Sequence, residues 1–250
     1  MASTVSLRVA AGVGHLRLER PEAANSLDLP TARALRSAVE EAGADPAVRA
    51  LLVSGAGSRF CAGGDVASFA AAADPAAYLH ELASEADAAV RALSEVEKPV
   101  VAAVHGAVAG AGLAVMLSCD VVVADPATSF VFAYPAIGLT PDCGVSFLLP
   151  RAIGQQRALR FALSGRAATA AQALEWGLVT DLAPDPEVRA WELATAMADG
   201  PSGALGQVRR LLRAGWESSR VDVGAEEART ISEMARGEEA QTLVRAFVRG

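Results

Sequence analysis

Residues 97–120 read EKPVVAAVHGAVAGAGLAVMLSCD, and how this stretch is divided decides the fold. From Val100 to Cys119 it holds no formal charge beyond a neutral His105, and Gly106 and Gly110 have the spacing of packed membrane helices, so length alone would allow a membrane span. The internal pattern argues otherwise. VVAAV is a β-branched run, HGAVAGAG a glycine-rich turn and LAVMLSC an alanine-rich helical pattern, with no aromatic belt and no basic flank. The segment reads as a buried strand, turn and helix.

Working outward, VSLRV and HLRLER alternate around Ala11-Gly12 as an opening hairpin that stops at Pro21. Leu29, Ala32, Leu35, Val39 and Ala42 recur at helical spacing until Gly43 and Asp45-Pro46 end the helix, and ALLVSG follows as a short buried strand running into the loop GAGSRFCAGGD. An alanine-rich helix from about Pro75 to Leu93 precedes the strand at Val100. After the helix at Leu113 come a strand VVVA at Val121 and extended residues near Phe130 to Phe132. Beyond Gly144 the pattern is almost wholly helical, and no repeat or low-complexity linker breaks the chain. This alternation predicts one α/β core with a helical C-terminal third.

The chain has 250 residues, 52% of them hydrophobic, which is ample for a sizeable core. A net charge of −7 and a pI near 5.1 leave no basic excess for nucleic acid or anionic lipid, so neither nucleic acid nor membrane is expected as a partner. Cys61, Cys119 and Cys143 are odd in number and lack paired metal-ligand spacing. They suit reduced thiols in a cytoplasmic protein, with no metal site. The N-terminal MASTVSLRV has neither a basic n-region nor an apolar h-region to direct export.

Five segments in order carry a more specific signal: LRLERPEAANSLD from Leu16, SRFCAGGDV from Ser58, the stretch from Glu97 quoted above, IGLTPDCG from Ile137 with LPRAIG from Leu149, and LSGRAATAAQALEWGLVTDL from Leu163. Together they resemble the crotonase (enoyl-CoA hydratase/isomerase) superfamily. The resemblance implies an α/β fold with a crotonase-like ββα-repeat spiral core over residues 1–190 and a helical oligomerisation region over residues 191–250, assembled as a homotrimer or dimer of trimers. It also implies an acyl-CoA substrate, with coenzyme A as part of that substrate and no separate cofactor.

Removing a proton beside a thioester carbonyl places negative charge on the carbonyl oxygen, and fixed donors must meet it. The resemblance assigns these donors to the backbone N–H groups of Gly64 and Ala111, in loops whose small residues admit the thioester, with a helix starting near Gly112. On a plainer reading the glycines only make tight turns. The resemblance also sets the adenine of coenzyme A near the backbone of Ala62 and Gly63 and near the Ala23-Ala24-Asn25 segment, where relatives often carry a basic residue at the position of Ala24. Family hydratases use two glutamates, and the matching positions here are Ala114 and Tyr134, which disfavours water addition. Asp142 stands where some double-bond-shifting relatives carry an aspartate; it either shuttles the proton or caps the following helix. The expected activity is enoyl-CoA isomerisation in preference to hydration. A hydratase with atypical acid and base residues, or a catalytically silent acyl-CoA-binding protein, are the alternatives. Asp65 is expected to cap a helix, Asp120 and His105 to be structural, and Cys61 to pack. His15 and His80 have no matching partner, and Ser146 lacks the surroundings of a nucleophile elbow.

Overall fold

The computed structural model describes residues 3–249. β1 (Val5–Ala10) and β2 (Val13–Leu18) form the opening hairpin, turned at Ala11 and Gly12, whose φ values of 48° and 73° give the twist a two-residue turn requires. α1 (Leu29–Ala44) starts where the Asp28 carboxylate accepts from the Thr31 amide, and the stripe expected from the sequence is its buried face. β3 (Ala50–Gly55) leads through a loop to α2 (Val66–Ala70) and α3 (Pro75–Glu95), which lies along α1.

Two ββα units follow. The first is β4 (Val100–Val104), β5 (Ala107–Ala109) and α4 (Ala111–Leu117); the second is β6 (Val121–Ala124), β7 (Ser129–Val131) and α5 (Val145–Ile153). Each unit gives its first strand to a large sheet ordered β1-β2-β3-β4-β6-β9 and its second to a small sheet ordered β5-β7-β8. The chain continues as α6 (Gln155–Ser164), β8 (Ala168–Thr169), α7 (Ala170–Trp176), β9 (Asp181–Leu182), α8 (Pro186–Asp199), α9 (Ser202–Ala214), α10 (Arg220–Met234) and α11 (Glu238–Arg249).

The central strands β3, β4 and β6 run parallel and are covered on both faces, which is why they read as unbroken apolar runs. Leu51, Val53, Val100 and Ala102 face α1, α3 and the small sheet, while Leu52, Val101, Ala103 and Val123 face α8. Burying one such Leu or Val is worth roughly 1.5–3 kcal/mol. Ala190, Ala194 and Ala198 form the inner stripe of α8, so small side chains let this helix lie close against the sheet. α8 runs through position 190, and residues on both sides of it share one helix.

Three details depart from the sequence pattern. β5 sits inside the stretch expected to be only a turn, α4 begins at Ala111 instead of Gly112, and the helical region beyond Gly144 contains β8 and β9. Strands of two or three residues are too short to display a period of two, so tertiary pairing alone defines them. Among the described residues no helix is long and apolar enough to cross a membrane.

Candidate active site

The loop after β3 folds back along the start of the next unit. Phe60 N donates to His105 O at 2.9 Å and Ala109 N donates to Cys61 O at 3.0 Å. Farther along, Leu27 N donates to Gly63 O at 2.8 Å and Asp65 N donates to Leu27 O at 2.9 Å, a parallel bridge centred on Gly64. Such a bridge uses the groups flanking Gly64, so its own N–H is directed away from Leu27. Ala111 is the first residue of α4, where an N–H has no intrahelical acceptor. Among the described residues neither amide donates a hydrogen bond.

Glycine is required for the two loops to meet. Gly63 has φ +104°, and a Cβ there would lie 3.0 Å from Ala109 O and 3.4 Å from Ala111 N. A Cβ on Gly112 would collide with the Cys61 carbonyl.

The base of the first loop is tied down by charge. Asp65 caps α2, accepting from Ser68 N at 3.1 Å, and also accepts from Arg20, 2.9 Å away, which reaches Asp28 at 3.1 Å. Burial works against the Asp65 carboxylate, but the Arg20 guanidinium and the Ser68 groups outweigh it and hold the group below its ordinary value. Beside this anchor, Ala24 and Asn25 both take φ of 54°, and the buried Asn25 amide donates to Ala56 O and Arg59 O. Ala62 N donates to Ala24 O at 3.0 Å, which joins the Ala23-Ala24 turn to the Ala62-Gly63 loop.

A cavity of about 450 Å³ opens at this junction, lined among others by Gly63, Gly64, Gly110, Tyr134, Asp142 and His80. Asp142 is half-buried, and its Oδ1 accepts from the Tyr134 hydroxyl at 2.8 Å. It does not cap α5: the capping position is Gly144, without a side-chain hydrogen bond. Cys143 and Gly144, at φ of 50° and 70°, turn the chain sharply between the acid and the helix. Burial, and then the charge of Asp142, push the Tyr134 phenol and the Cys143 thiol far above their ordinary ranges, so both stay protonated. Burial pushes the Cys61 thiol up to about 11, which suits packing and not nucleophilic attack.

The structure thus brings Ala62, Gly63, Gly64 and Asp142 onto one cavity wall. Ala111 lies just behind that wall at 2% exposure, and Ala23 and Ala24 reach it through Ala62. Of the two positions expected to hold hydratase glutamates, Ala114 is packed in the core at 0% exposure and Tyr134 faces Asp142. His80 is a lining residue that the sequence reading left without a role; it sits on α3, and nothing in its local sequence points toward the cavity. His105 bonds Gly57 O at 2.9 Å and His15 bonds Ser54 Oγ at 2.7 Å, both away from this wall. Among the described residues no group of three His, Cys, Asp or Glu side chains could hold a metal ion.

A two-layered ββα spiral, with its paired strands split between a large and a small sheet and a cavity that carries one acid, has the architecture of the crotonase class. The family model for enoyl-CoA hydratase/isomerase matches residues 8–249. Among similar proteins, the 1,2-epoxyphenylacetyl-CoA isomerase of Escherichia coli is 35% identical over 218 residues, covering 85% of this chain and 82% of that one. The trans-2-decenoyl-acyl-carrier-protein isomerase of Streptococcus mutans is 38% identical over 67% of this chain and 65% of its own. A crystal structure from Mycobacterium abscessus, described as an enoyl-CoA hydratase/isomerase, superimposes with a TM-score of 0.93 at 36% identity, covering 98% of this chain and 96% of that one. This chain belongs to the enoyl-CoA hydratase/isomerase family of enzymes and has the crotonase fold.

Proposed function

We propose that the protein isomerises the double bond of an enoyl-CoA in preference to hydrating it. The thioester oxygen accepts from the Gly64 and Ala111 amides. Asp142 takes a proton from the carbon next to the carbonyl, the electron pair delocalises onto the thioester oxygen as an enolate, and the same acid returns the proton two carbons farther along. Atoms balance within the substrate, so the reaction needs no redox cofactor or metal, and coenzyme A enters and leaves as part of the substrate. One observation carries this reading: Asp142 and Gly64 line one cavity. The resemblance sets Ala114 and Tyr134 at the positions of the hydratase glutamates, and neither is a carboxylate. Both curated relatives described above are named as isomerases, one of a phenylacetyl-CoA epoxide and one of a decenoyl thioester.

The nucleotide end of coenzyme A lies along Ala23, Ala24, Ala62 and Gly63 in this proposal. Arg59, exposed beside that turn and without an ion pair among the described residues, is a cation placed to contact a phosphate in this proposal. The working form is a homotrimer or dimer of trimers in the cytoplasm. Support comes from α11, where Leu243, Val244, Phe247 and Val248 make an exposed apolar stripe, Phe247 being 88% exposed. Supporting the compartment, Cys61, Cys119 and Cys143 are free and buried.

Incubating the purified protein separately with a 3-enoyl-CoA and a 2-enoyl-CoA tests the reaction. Migration of the double bond with little water addition is expected. Efficient hydration with negligible migration would overturn the proposal, and binding without conversion of any acyl-CoA would point to a silent binding protein.

A further inference from the structure

We infer that Tyr134 is a positioning residue for Asp142: its hydroxyl pins one carboxylate oxygen and leaves the other presented to the substrate. The inference rests on the reading of Asp142 as the proton carrier and adds the group that aims it. The Tyr134 Oη to Asp142 Oδ1 distance is 2.8 Å, and among the described residues the one other donor set against this carboxylate is the weaker Cys143 thiol. The ring itself is held still. It is buried, meets Phe132 edge-on at 5.2 Å between centroids, and lies so near the second amide loop that a Cβ on Gly110 would be 4.0 Å from Tyr134 Cζ. Behind it, Leu139 N donates to Tyr134 O at 3.1 Å and closes the turn that carries the ring.

The surrounding charges leave this task to the phenol. From α3, His80 faces the cavity, and Asp87 approaches the Cys143-Gly144 turn but is engaged by Arg91 at 2.9 Å. The neighbouring Cys143 thiol is a weak donor. Among the described residues no lysine or arginine lines the cavity. A hydrogen bond to a carboxylate is about twice as strong as one between neutral groups, and a buried phenol that stays protonated cannot compete for the substrate's proton. Tyrosine where a hydratase glutamate would stand therefore converts a two-carboxylate site into one carboxylate with a fixed orientation.

The test is Tyr134→Phe, which keeps the ring and its contact with Phe132 and removes only the hydroxyl. With a 3-enoyl-CoA, kcat is expected to fall about tenfold to a hundredfold while KM changes little. Adding Tyr134→Phe to Asp142→Asn should cost nothing further. A readout independent of turnover is the carboxyl-carbon resonance of Asp142, assigned by its absence in Asp142→Asn. At one neutral pH it should move in Tyr134→Phe relative to the parent protein, because the carboxylate has lost its phenol donor. An unmoved resonance would overturn the inference whatever the activity. If the parent isomerises nothing but the resonance moves, the isomerase reading fails and the pairing stands.

Discussion

Asp120 and Asp142 lie 22 positions apart in the chain and are treated by the fold in opposite ways. Asp120 is saturated: it accepts from Val100 N at 2.8 Å, from Arg209 Nε at 2.8 and 2.6 Å through its two oxygens, and from Arg213 at 3.0 Å. Arg209 is itself fully used, donating also to the carbonyls of Leu93, Ser94, Val96 and Ser118. Asp142 has one phenol and a cavity. A carboxylate whose acceptor sites are all filled holds elements together, here α9 to β4 and α4. A carboxylate with an open oxygen beside a cavity is available for proton transfer.

The largest effect that would separate the two is on rate. Asp142→Asn should lower double-bond migration at least about 100-fold, with coenzyme A binding and the thermal midpoint close to those of the parent. A normal rate in that variant would erase the contrast. Next comes Arg209→Met, which leaves several buried carbonyls without donors and weakens the hold on Asp120. It should destabilise the fold by about 3 kcal/mol or more in denaturant titrations, while the folded fraction keeps its specific activity. The smallest effect sharpens the comparison with a third acid. Asp65→Asn retains a good helix cap but removes the charge facing Arg20, costing about 1 kcal/mol. Because Arg20 and Ser68 hold Asp65 below its ordinary value of 3.8, that stabilisation is present above this pH and lost as pH falls through the folded-state value. Unfolding curves of parent and variant should therefore differ near neutrality and converge in acid.

Much of this was legible in the residues themselves. Unbroken apolar runs announced β3, β4 and β6 because both faces of those strands are covered, and the glycines at 63, 64, 110 and 112 marked loops that backbone must approach. Asp65 as a cap and Asp120 as a structural acid were likewise evident from their positions at helix ends. The small sheet was not, since its strands are two or three residues long and depend on partners distant in sequence. Nor could local pattern reveal the Tyr134 to Asp142 contact, which requires a 3-10 turn at Tyr134–Ile137 and two successive left-handed residues at Cys143 and Gly144. Arg209 was equally silent: in the run VRRLLR it looks like any basic residue on a helix surface, and only the packing of α9 buries it.

The contact of Gly63 with Ala109, Gly110 and Ala111, matched by that of Gly112 with Cys61, makes the two amide-bearing loops one mechanical piece. Neither can swing without dislodging the other, so in the proposed reaction an arriving carbonyl meets dipoles whose directions were set when the chain folded. The reorganisation that water would undergo around a nascent anion is thereby completed before the encounter.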